Sequence, residues 1–179
     1  MSRLQAAFAR LRQQKTPGLV TYVTAGDPDL ERTAGILRAL DRGGADAIEV
    51  GVPFSDPLAD GPVIQRATER ALASGTTLSG VLDLVASVRA DISAPIVAFS
   101  YANPILRLGA ERFADRARDA GIDGVLILDL PIEEAGDVPA MLTAGICRGG
   151  FNLDGVLNAA DVQGFVNARL AGETCPLRC

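Results

Sequence analysis

The chain has 179 residues, of which 48% are hydrophobic and 4% aromatic, and its formal net charge is -5. This length fits one domain of ordinary size, and a core of Ala, Val, Ile and Leu favours helices packed on a parallel sheet over an aromatic-rich β-sandwich. Lys15 is the only lysine, so the clustered basic surface of a nucleic-acid-binding protein is excluded. Because there is no histidine, histidine-based triads and histidine-ligated metal sites are excluded too.

The apolar runs have the length of strands and are interrupted by Asp or Glu, so the sequence predicts no transmembrane helix. Residues 1–15 have the pattern of an amphipathic helix and not that of a signal peptide. We therefore expect a cytoplasmic protein that has no membrane partner.

Apolar periodicity predicts alternating helices and strands. The opening helix carries Leu4, Phe8 and Leu11 on one face, and a second helix is expected to begin with Asp27 as its N-cap and Pro28 as its first residue. Further helices are predicted for about residues 62–74, 78–90 and 111–120, and strands for residues 19–23, 95–101 and 124–130 and around Glu49.

This alternation is typical of an α/β fold with a parallel sheet and right-handed crossovers. Residues 44–48 resemble residues 121–125, each just before a strand, and two βα units separate the two copies. Such spacing favours a (β/α)8 TIM barrel, although the alternation alone also permits a flavodoxin-like domain. In a barrel, the active site lies at the carboxyl ends of the strands.

Glu49 is the most informative residue, because it is a carboxylate inside an apolar strand. Ile48 and Val50 point to one face, so Glu49 shares the other with Ala47 and Gly51, which are too small to fill it. This placement is compatible with a catalytic carboxylate that faces a ligand. It is equally compatible with a structural carboxylate that forms an ion pair or reaches solvent. The loop that follows contributes a second carboxylate, Asp60.

Four segments resemble the tryptophan synthase alpha family: residues 22–28 (YVTAGDP), 49–62 (EVGVPFSDPLADGP), 101–104 (YANP) and 128–134 (LDLPIEE). The long second motif is highly specific. The resemblance implies a lyase that cleaves indole-3-glycerol phosphate to indole and glyceraldehyde 3-phosphate, with Glu49 and Asp60 as its catalytic carboxylates and no cofactor.

The same resemblance implies a substrate pocket lined by Tyr22, Phe99, Tyr101 and Leu126, with Tyr22 where the family commonly has Phe. Core packing explains Phe99 and Leu126 equally well, whereas each tyrosine carries a hydroxyl that needs a partner or water.

A partner surface is implied as well, facing the tryptophan synthase beta subunit in an alpha2-beta2 assembly. The residues concerned are Pro53, Asp56, Pro57, Asn103 and Pro104. For Asn103 and Pro104, an ordinary turn between a strand and a helix is an alternative explanation.

The resemblance ends near Ile146, which implies a partial (β/α)8 TIM barrel of the first four βα units over residues 1–146, followed by a tail of residues 147–179. The tail resembles a dockerin-like, EF-hand-like calcium loop with Asn152, Asp154, Asn158 and Asp161 as metal ligands. Gly150 stands where an Asp ligand is expected, so any Ca²⁺ should bind weakly. An Asx-rich turn that caps a short helix is the alternative, and three cysteines lie near this tail, at 147, 175 and 179.

Two functions therefore remain open. One is a lyase, completed by self-association through the open edges of a half barrel. The other is an inactive remnant whose tail mediates calcium-dependent interactions.

Overall fold

A parallel sheet of five strands in the order β1-β2-β3-β4-β5 forms the centre of the molecule. A computed structural model describes residues 2–130 and, for the backbone alone, residues 157–158. The strands are β1 (Val20–Thr24), β2 (Ala47–Gly51), β3 (Ile96–Ser100), β4 (Gly124–Ile127) and β5 (Leu157–Asn158). The α/β class and the parallel sheet predicted from the sequence are confirmed.

Six α-helices lie along the described part of the chain. They are α1 (Arg3–Gln14), α2 (Leu30–Arg42), α3 (Pro62–Ala73), α4 (Leu78–Val88), α5 (Ala102–Leu108) and α6 (Ala110–Asp119), and a 3-10 helix (Arg89–Asp91) extends α4. Among these residues no single helix is long and apolar enough to cross a membrane; α3 and the segment Leu78–Asp91, bent by 91°, meet that test only as a pair.

The two faces of the sheet differ because side chains alternate along each strand. Ile48 and Val50 point into the larger core, where they meet side chains of the outer helices such as Leu37, Val85 and Phe113. The opposite face carries Ala47, Val97 and Leu126, and Leu4 and Phe8 of α1 pack against its amino-terminal end. The carboxyl ends of the strands on this second face are the place where a barrel carries its site.

The predicted start of the second helix was wrong. Asp29 is the N-cap of α2, and its carboxylate accepts a hydrogen bond from the Arg32 backbone N–H at 2.7 Å. Asp27 lies two residues earlier, before a cis peptide bond to Pro28, and its carboxylate pairs with the Arg70 guanidinium at 2.6 Å. Either aspartate could serve as an N-cap by its chemistry. In the folded chain Asp29 caps the helix, whereas Asp27 pairs with Arg70.

Two further differences concern segments expected to be irregular. Asn103 and Pro104 lie within α5 and not in a plain turn, since proline is tolerated in the first turn of a helix. Asn158, predicted as a calcium ligand in a loop, lies in β5, paired in parallel with Ile127. The other predicted ligands, Asn152, Asp154 and Asp161, lie outside the described residues, as do the three cysteines.

Candidate active site

Glu49 lies in the middle of β2 on the face that the sequence predicted. Its Cα is in register with Tyr22 on β1 and with Val97 on β3. Burial raises the pKa of the Glu49 carboxyl above its ordinary value. No ion pair or hydrogen bond to this carboxyl is found among residues 2–130, so the alternative of a structural ion pair has no support in that range.

Tyr22 reaches across β2 because Gly51 has no side chain. A Cβ at Gly51 would lie 2.1 Å from the Tyr22 hydroxyl oxygen. The ring meets Phe99 edge to face at 5.1 Å, and Thr24 Oγ1 donates to the phenol oxygen at 3.3 Å. Burial, together with the nearby carboxylates of Asp60 and Glu49, raises the pKa of Tyr22 to about 12, and the hydrogen bond from Thr24 opposes the rise.

Asp60 is brought towards this face by the loop between β2 and α3. Tyr101 fixes the loop, because its hydroxyl oxygen accepts a hydrogen bond from Ala59 N at 2.9 Å while the hydroxyl donates to the Asp60 carboxylate. Burial raises the pKa of Asp60, and the Tyr101 hydrogen bond opposes the rise. Gln65 holds the same loop from α3, since its Nε2 donates to the Asp60 carbonyl at 2.9 Å.

Tyr101 is held in turn by its neighbours. The Phe54 ring lies against it at a centroid distance of 5.2 Å. The next residue, Ala102, begins α5, and its backbone N–H donates to the Asp129 carboxylate at 2.7 Å. A residue after β4 therefore fixes the start of the helix that follows β3, which keeps the two strand ends together.

Phe99 and Leu126 occupy the floor of this face. Gly51, Phe99 and Leu126 are aligned across three strands, which places Phe99 beside the Tyr22 ring and Leu126 next to Phe99. Leu126 is 5% exposed and packs with Phe99 in the smaller core. Both are thus part of the core, and their role as pocket-wall residues stays a prediction.

The residues predicted to contact a partner occur on two neighbouring segments. Pro53 is buried, whereas Pro57 is partly exposed and Asp56 exposed; Asn103 is exposed at the start of α5. Leu58, in the same loop as Pro57, is 93% exposed. An open cleft of about 300 Å³ lies between this loop and α3, with Phe54 and Leu72 in its lining, and it does not include Glu49.

Of three positions that organise the site, Gly51 and Gln65 carried no signal strong enough to find their roles in the sequence, whereas Asp129 adjoins a strand end within the 128–134 segment that carries the family resemblance. Gly51, Gln65 and Asp129 act through contacts with Tyr22, the Asp60 carbonyl and the α5 amino terminus, respectively. The small size of Gly51 was noted, but not the ring it accommodates. Within the described ranges, no cluster of three acidic, histidine or cysteine side chains could hold a metal ion.

The arrangement suits proton transfer to and from a bound ligand. Glu49 is a partly buried carboxyl whose pKa is raised by burial, a setting suited to general acid–base chemistry. Asp60 is a second carboxylate on a loop across the same strand ends, where it can stabilise a positive charge. Tyr22, Phe99 and Leu126 add apolar surface to the same face of the sheet.

Comparisons with known proteins agree with this geometry. The family model for tryptophan synthase alpha chain matches residues 8–147. The chain is 58% identical over 148 residues to a tryptophan synthase alpha chain of Burkholderia mallei, covering 82% of this chain and 55% of the relative. It is 54% identical over 141 residues to that of Geotalea daltonii, covering 79% and 53%. The chain spans about half the length of the curated relatives it matches.

Solved structures show the same relationship. Tryptophan synthase subunit alpha from Legionella pneumophila superposes with a TM-score of 0.83 at 34% identity, covering 99% of this chain and 77% of that one. A chain of a tryptophan synthase complex from Pyrococcus furiosus superposes with a TM-score of 0.69 at 40% identity, covering 79% and 54%. With the matched family model extending over residues 8–147, these findings establish that the chain belongs to the tryptophan synthase alpha chain family.

Proposed function

We propose that this chain cleaves indole-3-glycerol phosphate to indole and glyceraldehyde 3-phosphate in tryptophan biosynthesis, without a cofactor and in the cytoplasm. The observation that carries the proposal is the Glu49 carboxyl, which is partly buried, has a raised pKa and lies beside Tyr22 on the neighbouring strand. A carboxyl in that setting is suited to general acid–base chemistry.

In the proposed reaction, Glu49 delivers a proton to the indole ring carbon that carries the glycerol chain and then removes one from the glycerol hydroxyl. The carbon–carbon bond breaks as that hydroxyl becomes the aldehyde, and the electron pair of the bond returns to the ring. Asp60 stabilises the positive charge that develops at the indole nitrogen. Its hydrogen bond from Tyr101 holds the carboxylate in one orientation.

A steady-state assay of indole release tests this proposal. Glu49→Gln and Asp60→Asn should each lower kcat by about 10² to 10⁴, the usual contribution of a general acid–base group. Glu111→Gln, an exposed glutamate on α6, is the matched control and should leave the rate unchanged. Indole release that is absent from the wild-type chain, or equal in Glu49→Gln, would refute the assignment.

We also propose that the loop after β2 and the start of α5 bind a tryptophan synthase beta subunit. Support comes from Leu58, an apolar side chain that is 93% exposed beside Asp56 and Pro57. Leu58→Asp should abolish co-elution with a beta subunit on size-exclusion chromatography. Leu19→Asp is the control, because Leu19 is also exposed but precedes β1 at the opposite end of the sheet; equal loss in both variants would contradict the surface.

Self-association is proposed at β1, which has one neighbouring strand in the described sheet. Val20 on this strand is 50% exposed, and an unpaired strand edge is a template for another chain. Sedimentation velocity should show a concentration-dependent dimer that Val20→Lys disrupts. A monomer at every concentration would refute it.

Weak Ca²⁺ binding by the tail remains a proposal from the sequence, on the spacing of Asn152, Asp154, Asn158 and Asp161. The alternative function, an inactive chain that acts through a calcium-dependent interaction of this tail, depends on the same proposal. Calorimetric titration with CaCl₂ should give a saturable signal that Asp154→Ala removes, and a flat trace would eliminate the ion.

A further inference from the structure

The Tyr22 hydroxyl lies further towards the carboxyl end of β2 than the backbone of Glu49 does. Tyr22 and Glu49 are register partners, but the phenol oxygen lies above Gly51, two residues further along β2. Phe99 holds the ring from the other side by its edge contact. A ligand that approaches Glu49 from the carboxyl ends of the strands therefore meets this hydroxyl on its way.

The hydroxyl is prepared to donate a hydrogen bond. Thr24 Oγ1 is the donor in its bond to the phenol oxygen, at 3.3 Å, so the Tyr22 proton remains available. Thr24 is itself 6% exposed, which keeps this contact away from water. Since the pKa of Tyr22 is about 12, the phenol stays protonated at neutral pH.

The charged and titratable groups around this hydroxyl are Glu49 on β2, Asp60 on the following loop and Tyr101 after β3. When ionised, the two carboxylates only accept hydrogen bonds, and the Tyr101 hydroxyl donates its hydrogen bond to Asp60. Among the described residues of the site, Tyr22 is thus the neutral donor whose proton has no acceptor. An unused donor on this face of the sheet fits an oxygen atom of the ligand.

We propose that the Tyr22 hydroxyl donates a hydrogen bond to the glycerol hydroxyl oxygen of the substrate that Glu49 deprotonates, which makes Tyr22 a specificity-determining residue. This inference depends on the proposed lyase function. In the cleavage, the proton of that hydroxyl goes to Glu49 while its oxygen becomes the carbonyl oxygen of the aldehyde. Tyr22 keeps its own proton throughout, and its hydrogen bond follows the oxygen from alcohol to aldehyde.

The test compares two ligands that differ in the proposed acceptor. Indole-3-glycerol phosphate carries the hydroxyls, and indole-3-propanol phosphate lacks them. Affinities are measured by calorimetry on the full chain carrying Glu49→Gln, so that no turnover occurs. Adding Tyr22→Phe should lower the affinity for indole-3-glycerol phosphate roughly three- to tenfold, as expected for the loss of one neutral hydrogen bond. The affinity for indole-3-propanol phosphate should change less than about twofold.

Ser87→Ala is the control for loss of a hydroxyl elsewhere, since Ser87 Oγ bonds the Leu84 carbonyl within α4. It should leave both affinities unchanged. If Tyr22→Phe lowers the affinity for both ligands equally, the phenol acts only through packing. If it lowers neither affinity, the phenol makes no such hydrogen bond. Either result overturns the inference while the lyase proposal stands. Failure of the Glu49→Gln chain to bind either ligand would refute the proposed function together with it.

Discussion

Replacing Gly51 by alanine is the most direct test of how the site is built. The new Cβ would lie 2.1 Å from the Tyr22 hydroxyl oxygen, 2.6 Å from Cζ and 2.9 Å from Cε2. Ordinary van der Waals contact begins at about 3.4 Å, so the phenol would have to move by more than an ångström. The Phe99 ring and the Thr24 hydroxyl both oppose that movement.

We expect Gly51→Ala to lower the free energy of unfolding by about 1–3 kcal/mol, the usual range for overpacking a core. The hydrogen bond from Thr24 accounts for about 1 kcal/mol of this loss if the phenol leaves its position. Because the steric conflict involves a single side chain, Tyr22→Ala in the same chain should remove it. The double variant should therefore be no less stable than Tyr22→Ala alone.

The measurement is urea unfolding followed by circular dichroism, with the free energy obtained from the midpoint and slope. Gly35→Ala is the matched control, because Gly35 lies within α2 and an added Cβ there meets nothing within 4 Å. It should stabilise the chain by about 0.5–1 kcal/mol. A Gly51→Ala chain as stable as wild type, or one equally destabilised with and without the Tyr22 ring, would show that this contact does not position Tyr22.

Three further predictions concern charge and core. The raised pKa of Glu49 means that the folded chain holds this proton more tightly than the unfolded chain, so the free energy of unfolding should fall as pH rises from 4.5 through the raised pKa. Glu49→Gln should flatten that part of the profile, and an unchanged slope would contradict the burial effect. The Arg70 hydrogen bond lowers the pKa of Asp27, so the Asp27→Asn variant should be less stable than wild type at pH 7. This difference in stability should disappear as pH falls through the lowered pKa of Asp27, or in 1 M salt. A difference that persists in acid would rule out the ion pair as its cause. Phe113→Ala should lower the free energy of unfolding, measured in urea, by about 3–5 kcal/mol because Phe113 is fully buried. Leu106→Ala, at a position that is 53% exposed, should lower it by under about 1 kcal/mol. Similar losses in the two variants would show that Phe113 is not a core residue.

Local pattern was sufficient for most of the barrel units. The period of two around Glu49 placed Ile48 and Val50 on one face and Glu49 on the other, as the two cores confirm. Pro62 correctly marked the first residue of α3. The prediction of Asp27 as the N-cap of α2 was wrong because Asp29 caps this helix, while Arg70, distant in sequence, pairs with Asp27.

The short helix α5 shows a second limit of local pattern. Its seven residues contain Asn103 and Pro104, which are typical of turns. The helix begins at Ala102, whose N–H is bound by Asp129 from the loop after the next strand. No periodicity within seven residues reports a partner 27 positions away.

By itself, the sequence determined the order of helices and strands, the side of the strand on which Glu49 lies and the family resemblance, because each of these is written in neighbouring residues. The tertiary structure alone decided that the Tyr22 ring lies over Gly51, that Tyr101 holds the Asp60 loop and that Glu49 has a raised pKa. These properties arise where side chains from three strands and a loop meet and exclude water. The protonation of a carboxyl depends on that shared environment, which no single stretch of the chain contains.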